Sequence, residues 1–468
     1  MPLILGTNSI KDTGYNVANS VRYNDDDSPS MTKASTTVTN DAKFTISAWC
    51  KRSTLNSSGE FGIFGHRSNS NNGNNNLQFG FYNDSFYCAF VSNNGSDVHI
   101  NKITTAVYRD TSSWYHVMVA VDSSQGTAGN RARVYVNGTE ITSFSTDTNP
   151  ANGRTFLNDA CNIDVGRYTN TSGTHKYFDG YLAEVVYIDG LQLTPTSFGE
   201  FDEDTNIWKP KDVSDLTFGN NGFYLDFEDS SNLGNDANGG TDLTESNLTS
   251  IDQSTDTCTN NTATMNPLAI TNSANTFSEG NLKITTTSSA SSYNQATIGV
   301  SSGKWYWEVK YVSDTDGSSN YARIGIADID PPSTGGLGEV EGIAYEAING
   351  NRKIRGTPTS YGDTYAPGDI IGIALNLDDD ELTFYKNGTA QNSGTAIDIS
   401  SYTPKTGFWH PAFGYDDGSH SGVFEANFGN PTFSISSGNS DGNGYGNFEY
   451  SVPSGYHALN TKNLAEYG

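Results

Sequence analysis

Two well-separated stretches of the chain follow one plan, in which an apolar strand and a polar turn precede a second strand ending in Asn-Gly. The first reads W-Y-H-V-M-V-A-V-D (114–122) and then R-V-Y-V-N-G (133–138). The second reads G-D-I-I-G-I-A-L-N-L-D (368–378) and then L-T-F-Y-K-N-G (382–388). Asn-Gly tolerates the two positive φ angles of a type I′ turn, so it is the strongest short signal for a β-hairpin. The plan predicts an all-β chain with two β-sandwich domains in tandem.

Composition agrees with many short strands joined by tight turns. The 468 residues include 49 Gly and 14 Pro, and aromatic residues make up 12% of the chain. Gly and Pro set the backbone angles of turns, and bulky rings fill the layer between two sheets. The hydrophobic fraction of 34% is low. It is nevertheless sufficient for a core, because the apolar residues gather in alternating strands.

The formal net charge of −27 argues against two classes of partner. Nucleic acid and anionic membrane surfaces are bound by an excess of Lys and Arg, so we expect neither. The acidic balance favours a role in solubility, with binding of a divalent cation or a basic partner as the alternative. No apolar run approaches the ~18 residues that indicate a membrane-spanning helix, so we expect no membrane insertion.

The four cysteines, Cys50, Cys88, Cys161 and Cys258, show no C-x-x-C spacing. Cys50 and Cys88 lie in aromatic-rich strands, where cysteine behaves as a small buried hydrophobe. The spacing therefore predicts neither a disulfide framework nor a zinc site. The first residues, M-P-L-I-L-G-T-N, lack the basic and long apolar segments of a secretory signal. We expect synthesis and assembly in a cytoplasm.

Alternation assigns the faces of the strands in the first half of the chain. In F-T-I-S-A-W-C-K-R-S (44–53), Phe44, Ile46 and Ala48 share one face. In 114–122 neither face is strongly polar, which predicts a central strand covered on both sides. Residues 77–91 read as a hairpin that turns near Asn83-Asp84.

The motifs of the first half resemble a known family. F-T-I-S-A-W, W-Y-H-V-M-V-A-V-D, V-Y-V-N-G and F-D-G-Y-L-A-E-V together resemble the laminin-G-like, concanavalin-type jelly roll. The resemblance covers roughly 40–195, and segments 19–24 and 31–35 are expected to add edge strands. The two stretches that follow, 197–211 (S-F-G-E-F-D-E-D-T-N-I-W-K-P-K) and 221–236 (N-G-F-Y-L-D-F…), resemble a linker of bacteriophage structural proteins. We therefore expect a first domain at 1–228 that includes this phage-type extension.

The second half resembles a different family. G-K-W-Y-W-E-V, A-R-I-G-I-A, G-D-I-I-G-I-A-L and L-T-F-Y-K-N-G, in this order, are similar to the SPRY domain over about 277–433. The resemblance implies a binding module that uses variable loops at one end of the sandwich and has no catalytic machinery. The expected organisation is a polar linker at 229–264, a SPRY-like sandwich at 265–446 and a C-terminal tail at 447–468.

Few residues stand out as chemical sites. The sequence contains no nucleophile motif, phosphate loop or H-E-x-x-H, so we expect no catalytic residues, no cofactor and no metal site. Asp314-x-Asp316-Gly317 has the start of a calcium loop but lacks the downstream Glu, which keeps calcium only as an alternative. His116, on a core strand, is predicted to be a packed histidine.

One basic cluster contrasts with the acidic background. The segment 349–363 carries Arg352, Lys353, Arg355 and Tyr361, and Trp409 with His410 could approach the same end of the domain. Arg and Tyr are common interface anchors. These six residues form the predicted recognition surface. The alternative is that the cations pair with neighbouring Asp and Glu.

Taken together, the motifs predict a non-enzymatic phage virion protein. It would be a fibre, appendage or decoration subunit that binds host-surface glycan or another virion protein. We expect a homo-oligomer, with a trimer favoured, located in the virion. Two alternatives stay open: a purely architectural capsid or tail decoration, and a polysaccharide-degrading enzyme of the concanavalin-like group, which would need two carboxylates in a cleft.

Overall fold

The computed structural model describes residues 14–68, 75–156, 161–270, 272–317, 320–327, 335–339 and 342–468. The described residues form two compact units, an N-terminal unit that ends at Thr259 and a C-terminal unit that begins at Asn260. Almost all regular structure is β, and each unit is built on two facing sheets. The predicted fold class is therefore confirmed. Within the described residues, no helix is long and apolar enough to cross a membrane.

Among its described residues, the N-terminal unit contains twenty strands and five single 3-10 turns. The strands are β1 (Ser20–Tyr23), β2 (Ser30–Ala34), β3 (Lys43–Arg52), β4 (Glu60–Ser68), β5 (Asn76–Tyr82), β6 (Ser85–Ser92), β7 (Asp97–Val107), β8 (Trp114–Asp122), β9 (Ala132–Val136), β10 (Thr139–Glu140), β11 (Phe144–Thr148), β12 (Cys161–Val165), β13 (Arg167–Thr169), β14 (His175–Tyr177), β15 (Gly180–Asp189), β16 (Gly199–Phe201), β17 (Trp208–Pro210), β18 (Phe223–Leu225), β19 (Thr244–Ser246) and β20 (Gln253–Ser254). The 3-10 turns are Asp25–Asp27, Asn93–Gly95, Ala128–Asn130, Pro195–Ser197 and Ser250–Asp252.

Two eight-stranded sheets of this unit enclose one core. The first sheet has the order β10-β9-β8-β3-β15-β1-β20, with β18 paired to β15, and the second has the order β11-β7-β6-β5-β4-β12-β2-β19. Phe44, Ile46 and Ala48 point into the core between the sheets, as their alternation predicts. Strand β8 is covered on both faces, because its valines enter this core while Met118 and Ala120 pack into a second cluster.

The extension after residue 195 covers the outer face of the first sheet. Strand β18 pairs with β15, and β16 and β17 form a hairpin. The indole of Trp208 stacks on the buried His116 at 5.8 Å between ring centroids. This covering layer explains why β8 needs apolar residues on both faces.

The segment 229–264, predicted to be a linker, differs from that expectation over most of its length. Strand β19 pairs with β2 and β20 pairs with β1, so the segment extends both sheets. Leu233, Leu243 and Leu248 enter the core of the N-terminal unit. These three leucines are spaced too irregularly to show as a strand pattern, and the polar residues between them mask their burial. The boundary between the units falls at Thr259.

The C-terminal unit contains sixteen strands, one 3-10 turn at Asn392–Gly394 and one α-helix among its described residues. They are β21 (Met265–Ile270), β22 (Thr276–Ser278), β23 (Lys283–Thr285), β24 (Ser292–Ala296), β25 (Lys304–Asp314), β26 (Ala322–Ala327), β27 (Ile343–Glu346), β28 (Asn351–Ile354), β29 (Thr357–Ser360), β30 (Ile370–Asn376), β31 (Glu381–Lys386), β32 (Thr389–Ala390), β33 (Ile397–Asp398), β34 (His410–Tyr415), β35 (Gly422–Asn427), β36 (His457–Ala458) and α1 (Thr461–Tyr467).

The two sheets of the C-terminal unit also enclose one core. Their orders are β21-β24-β34-β26-β27-β28-β29 and β22-β23-β35-β25-β30-β31-β32, with β33 on β31 and β36 on β25. On β30, Ile371, Ile373 and Leu375 point into the core. The opposite face of β30 carries the small residues Gly372, Ala374 and Asn376, which leave room for another layer. The C-terminal segment supplies that layer, because Phe448 and Ala458 pack on Ala374.

The residues 447–468, predicted to be a tail, are an integral part of the second sandwich. Strand β36 pairs in parallel with β25, and Leu464 of α1 enters the core. The side chain of Asn460 caps α1 by accepting a hydrogen bond from the amide of Asn463. Satisfying that otherwise unpaired donor stabilises a short helix.

The two Asn-Gly turns play the same structural role in both units. Asn137 and Gly138 have φ angles of 48° and 72°, and Asn387 and Gly388 have 48° and 77°, which confirms the predicted turn conformation. The side chain of Asn137 also accepts a hydrogen bond from the amide of His116 at 2.8 Å. Asn387 accepts one from the amide of Ile370 at 2.9 Å. Each asparagine thus ties its turn to the start of a neighbouring strand, β8 in the first unit and β30 in the second.

Candidate functional site

Three members of the predicted recognition surface are buried in the C-terminal unit. Tyr361, Trp409 and His410 expose only 6%, 3% and 1% of their surface. The Tyr361 hydroxyl accepts a hydrogen bond from the amide of Phe384, and His410 Nδ1 lies 3.1 Å from the carbonyl of Ala296. These side chains belong to the packing of the sandwich, so the prediction that they contact a partner is wrong.

Lys353 is held in an ion-pair network on the outer face of the sheet. Its Nζ pairs with Glu339 and lies 3.9 Å from Glu346. Arg323 joins the same carboxylates, at 2.9 Å to Glu339 and 3.1 Å to Glu346, and pairs with Asp416. Burial alone would raise the pKa of Glu339, but hydrogen bonds from Lys353 and Arg323 outweigh it and lower that pKa. The alternative of salt bridges therefore holds for Lys353.

Arg352 and Arg355 are the two members of the predicted surface that are neither buried nor held in this ion-pair network. Arg352 is half-buried on β28, and Arg355 is exposed in the turn to β29. The Arg355 guanidinium donates to the carbonyl of Thr403 at 3.0 Å and lies 5.6 Å from the Tyr402 ring. Strand β29 is exposed along its whole length at the edge of its sheet. The edge formed by β29, Arg352 and Arg355 is therefore the part of the predicted recognition surface that a partner could reach.

A group of tyrosines lies on the outer face of the second sheet in the N-terminal unit. Strands β5 and β6 send alternate residues into the core, which leaves Tyr82 and Tyr87 on the outside. Their rings are 5.7 Å apart, and Tyr87 is 6.2 Å from Tyr168. Tyr82 and Tyr87 are half-buried, whereas Tyr168 is fully buried. We call Tyr82, Tyr87 and Tyr168 the tyrosine face.

Polar groups surround the tyrosine face. The Tyr87 hydroxyl donates to Gln78 Oε1 at 2.7 Å. The carboxylate of Glu60, opposite Tyr82 in the strand register, lies 3.4 Å from the Tyr168 hydroxyl and 3.7 Å from Lys176 Nζ. Half-exposed rings beside a carboxylate, an ammonium and an amide form a surface that can pack an apolar face of a ligand and bind its hydroxyls.

Glycines place the third ring of the tyrosine face. The hairpin of β13 and β14 lies directly on β4 and β5, and a Cβ at Gly62 would come within 2.2 Å of the Tyr168 amide nitrogen. A Cβ at Gly65 would likewise come within 2.8 Å of Tyr168 Cα. The sequence motifs did not predict this site. The signal was present, because Gln78, Gly80 and Tyr82 alternate with core residues in the predicted hairpin.

Two buried pairs have residue types found in nucleophilic catalysis. Ser47 Oγ lies 2.7 Å from His116 Nε2, and Cys161 Sγ is in hydrogen-bond contact with His66 Nε2. Burial lowers the pKa of His116 to about 3 and that of His66 to about 4, so both rings are neutral. All four side chains are buried, which keeps a polymeric substrate away from them. His116 is the packed histidine that the sequence predicts.

A strained acid lies beneath the extension of the N-terminal unit. Glu184, at a bulge in β15, has a φ of 49°, which is costly for a residue with a side chain. Its carboxylate accepts hydrogen bonds from Tyr224 at 2.9 Å and from Tyr15 at 3.3 Å. Burial is the main cause that raises the pKa of Glu184, to about 8. The hydroxyls orient this acid within the packed layer.

One cluster of the C-terminal unit has metal-ligand chemistry. One donor atom from each of Asp316, Asp417 and His420 lies within 4.8 Å of the others. Asp314, the first residue of the calcium loop considered from the sequence, accepts hydrogen bonds from protein groups. Its carboxylate accepts the amides of Asp316 and Gly317 and the hydroxyl of Tyr311, at 2.9, 2.8 and 2.6 Å.

The two facing-sheet units make this a protein of two β-sandwich domains in tandem. Residues 25–195 match the family described as the concanavalin A-like lectin/glucanases superfamily. Residues 304–426 match the SPRY domain. The chain therefore carries a laminin-G-like, concanavalin-type domain followed by a SPRY domain, as the sequence motifs predict.

Several solved structures are similar to parts of the chain. The SPRY domain of human HERC1 is 18% identical over 35% of this chain and 96% of that one, with a TM-score of 0.30. Stonustoxin is 20% identical over 35% of this chain and 27% of its own, with a TM-score of 0.28. A heptameric SAP-like pentraxin from Limulus polyphemus is 16% identical over 39% and 80%, with a TM-score of 0.27.

Proposed function

We propose that this chain is a non-enzymatic subunit of a phage virion, a fibre, appendage or decoration protein, that binds host-surface glycan. Its two domain types suggest a binding role. The virion assignment is supported by the resemblance of 197–211 and 221–236 to the linker of phage structural proteins. In the structure these segments are the extension that covers the first sheet and, through β18, pairs with it.

The observation that carries the glycan assignment is the tyrosine face. Sugar rings have apolar faces edged by hydroxyls, so they stack on aromatic rings and bond to neighbouring carboxylates and amides. Tyr82 and Tyr87 offer the rings, and Glu60 with Lys176 offers the polar partners within the same unit. A half-exposed group of rings on the outside of a sheet suits a polysaccharide chain better than a small molecule, which needs a concave pocket.

Binding of another virion protein would use a different surface. The exposed edge strand β29, with Arg352 and Arg355 on the adjoining strand and turn, presents unpaired backbone groups next to positive charge. Such an edge can add a strand from a partner. A second copy of this chain in a homo-oligomer, with a trimer favoured, is the partner that we propose for it.

The experiment that tests the glycan assignment measures binding of the purified chain to a panel of bacterial surface polysaccharides. Tyr82→Ala and Tyr87→Ala should each weaken binding by about tenfold or more, because anchors of this type dominate interface energies. Tyr402→Ala, on the other unit, is the matched control and should bind normally. Binding that survives both substitutions would contradict the proposal. Sugar release would instead favour the polysaccharide-degrading alternative.

Mass spectrometry of purified virions tests the virion assignment separately. The chain should be present in stoichiometric amounts, and its absence would contradict this part of the proposal. Placement on the capsid together with no glycan binding would favour the purely architectural alternative.

A further inference from the structure

We propose that the C-terminal unit binds one divalent transition-metal ion through Asp316, Asp417 and His420. Asp316 lies in the loop after β25, and the other two residues lie in the loop between β34 and β35. The loops are remote in sequence, yet their donor atoms all lie within 4.8 Å of one another. The cluster combines an imidazole nitrogen with two carboxylate oxygens, so it differs from a patch of solvated acids.

The two loops are fastened together next to the cluster. The amide of Thr315 donates to the carbonyl of Ser421 at 3.0 Å. The amide of Ser421 donates to Thr315 Oγ1 at 2.9 Å. Asp314 and Gly422 complete the antiparallel pairing of β25 and β35 at the same point. The two loops are therefore joined next to Asp316 and next to His420 before any ion binds, which reduces the cost of assembling the site.

The arrangement of the cluster favours a cation. His420 Nδ1 is in hydrogen-bond contact with Asp417 Oδ2, and the carboxylate of Asp316 completes the group. A divalent ion bound here would place positive charge between two carboxylates, and the imidazole would offer it a nitrogen ligand.

The donor set selects the class of ion. Imidazole with carboxylates suits zinc and other first-row transition metals, whereas calcium takes six to eight oxygen ligands. Asp314, the further acid that a calcium site would need, already accepts three hydrogen bonds with its carboxylate. Ligands at ~2.1 Å from zinc lie about 3.4 Å apart in a tetrahedron, so these half-exposed side chains need only small rotations. Three protein ligands leave a coordination position open for water or a ligand group.

Titration calorimetry on the chelator-treated full-length chain tests the proposal with zinc chloride and, separately, calcium chloride. Zinc should bind with a stoichiometry of one per chain and more tightly than calcium. His420→Ala and Asp417→Asn should each weaken zinc binding by about tenfold or more. His175→Ala, which removes an exposed histidine of the N-terminal unit, is the matched control and should bind zinc as the unmodified chain does.

A spectroscopic readout reports the ligands directly. Cobalt(II) in the unmodified chain should give a visible absorption band that His420→Ala loses and His420→Gln does not restore. Circular dichroism confirms that each variant is folded, and Asp316→Asn provides an independent variant if one fails. Zinc binding unchanged by all three cluster substitutions would overturn the proposal, as would calcium binding tighter than zinc or no zinc binding at micromolar concentration.

Discussion

The carboxylate of Glu308, on β25, accepts a hydrogen bond at 2.9 Å from the backbone amide of Glu449. The Oε1 atom of Glu308 accepts the amide of Tyr450 at 2.8 Å, whereas Asn427 Nδ2 donates at 3.1 Å to Oε2, the oxygen that also accepts from Glu449. Glu308 is fully buried, and burial is the largest influence on its raised pKa. One acid in a central strand thus holds the segment that covers the outer face of its sheet.

Replacing Glu308 by Ala should detach that segment. The amides of Glu449 and Tyr450 would lose their acceptor, which costs roughly 1–3 kcal/mol for each unsatisfied buried donor. Denaturant unfolding should show the loss of stability, and limited proteolysis should cut the chain within 430–460. Glu381→Ala, at an exposed strand position, is the control. Proteolysis of the two variants at equal rates would show that Glu308 is dispensable.

A second prediction concerns Asp256, which lies in the segment expected to be a linker. Its carboxylate accepts hydrogen bonds from Lys51 Nζ at 2.8 Å and from Trp114 Nε1 at 3.0 Å, and all three residues are buried or nearly so. Asp256→Ala leaves the Lys51 charge buried without this partner, a change that typically costs about 3–5 kcal/mol. The unfolding free energy of the N-terminal unit measures it. Asp229→Ala, in the exposed part of the same segment, should leave the unfolding free energy nearly unchanged. Equal losses of stability in the two variants would instead support the prediction that 229–264 is a linker.

A third prediction follows from the raised pKa of Glu184. Its ordinary value is 4.5 and its value in the folded protein is about 8, so between these limits the folded chain holds a proton that the unfolded chain has lost. The stabilising contribution of Glu184 is fully present below pH 4.5, the pKa of the unfolded chain. It is lost progressively as the pH rises from there through about 8, the pKa in the folded protein. The slope approaches roughly 1.4 kcal/mol per pH unit.

The buried histidines contribute in a different pH window. Burial lowers the pKa values of His66, His116 and His410 to about 4, 3 and 4. Because the unfolded chain binds these protons more readily, the three histidines make the folded chain more stable as the pH rises from those values to 6.5. The interval from pH 6.5 to 8 therefore isolates Glu184 from them. Denaturant unfolding across this interval should show falling stability in the unmodified chain and a flatter profile in Glu184→Gln. Identical profiles would rule out this assignment.

The parts of the fold that could be predicted are those that depend on residues close together in the sequence. Asn137-Gly138 and Asn387-Gly388 predicted two turns because their backbone angles depend on the two residues alone. Alternation placed Phe44 and Ile46 on the core face because side chains in a strand change sides at every residue. The second role of each asparagine, as acceptor for the amide of His116 or Ile370, joins residues about twenty apart, for which no local pattern exists.

The candidate sites were harder to predict for the same reason. Arg352 and Lys353 are neighbours in sequence, but successive residues of a strand face opposite sides, so Lys353 joins the network of Glu339 and Glu346 without Arg352. Tyr361 and Trp409 looked like interface anchors, although aromatic residues serve a core equally well. Conversely, Asp316 and His420 meet only because β25 pairs with β35.

The last prediction concerns the close contact that builds the tyrosine face. A Cβ at Gly62 would lie 2.2 Å from the amide nitrogen of Tyr168 and 2.4 Å from the carbonyl oxygen of Lys176. Both atoms are backbone, so Gly62→Ala should lift the hairpin of β13 and β14 from the sheet and separate Tyr168 from Tyr87.

Limited proteolysis should therefore cut the Gly62→Ala variant within 167–177, and its affinity for any glycan bound at the tyrosine face should fall. The core between the two sheets does not include this contact, so circular dichroism should retain the β signal. Gly126→Ala is the matched control, because a Cβ there has no atom within 4 Å. A Gly62→Ala variant as protease-resistant as this control would mean that the hairpin adjusts without leaving the sheet, and that the tyrosine face does not depend on the glycine.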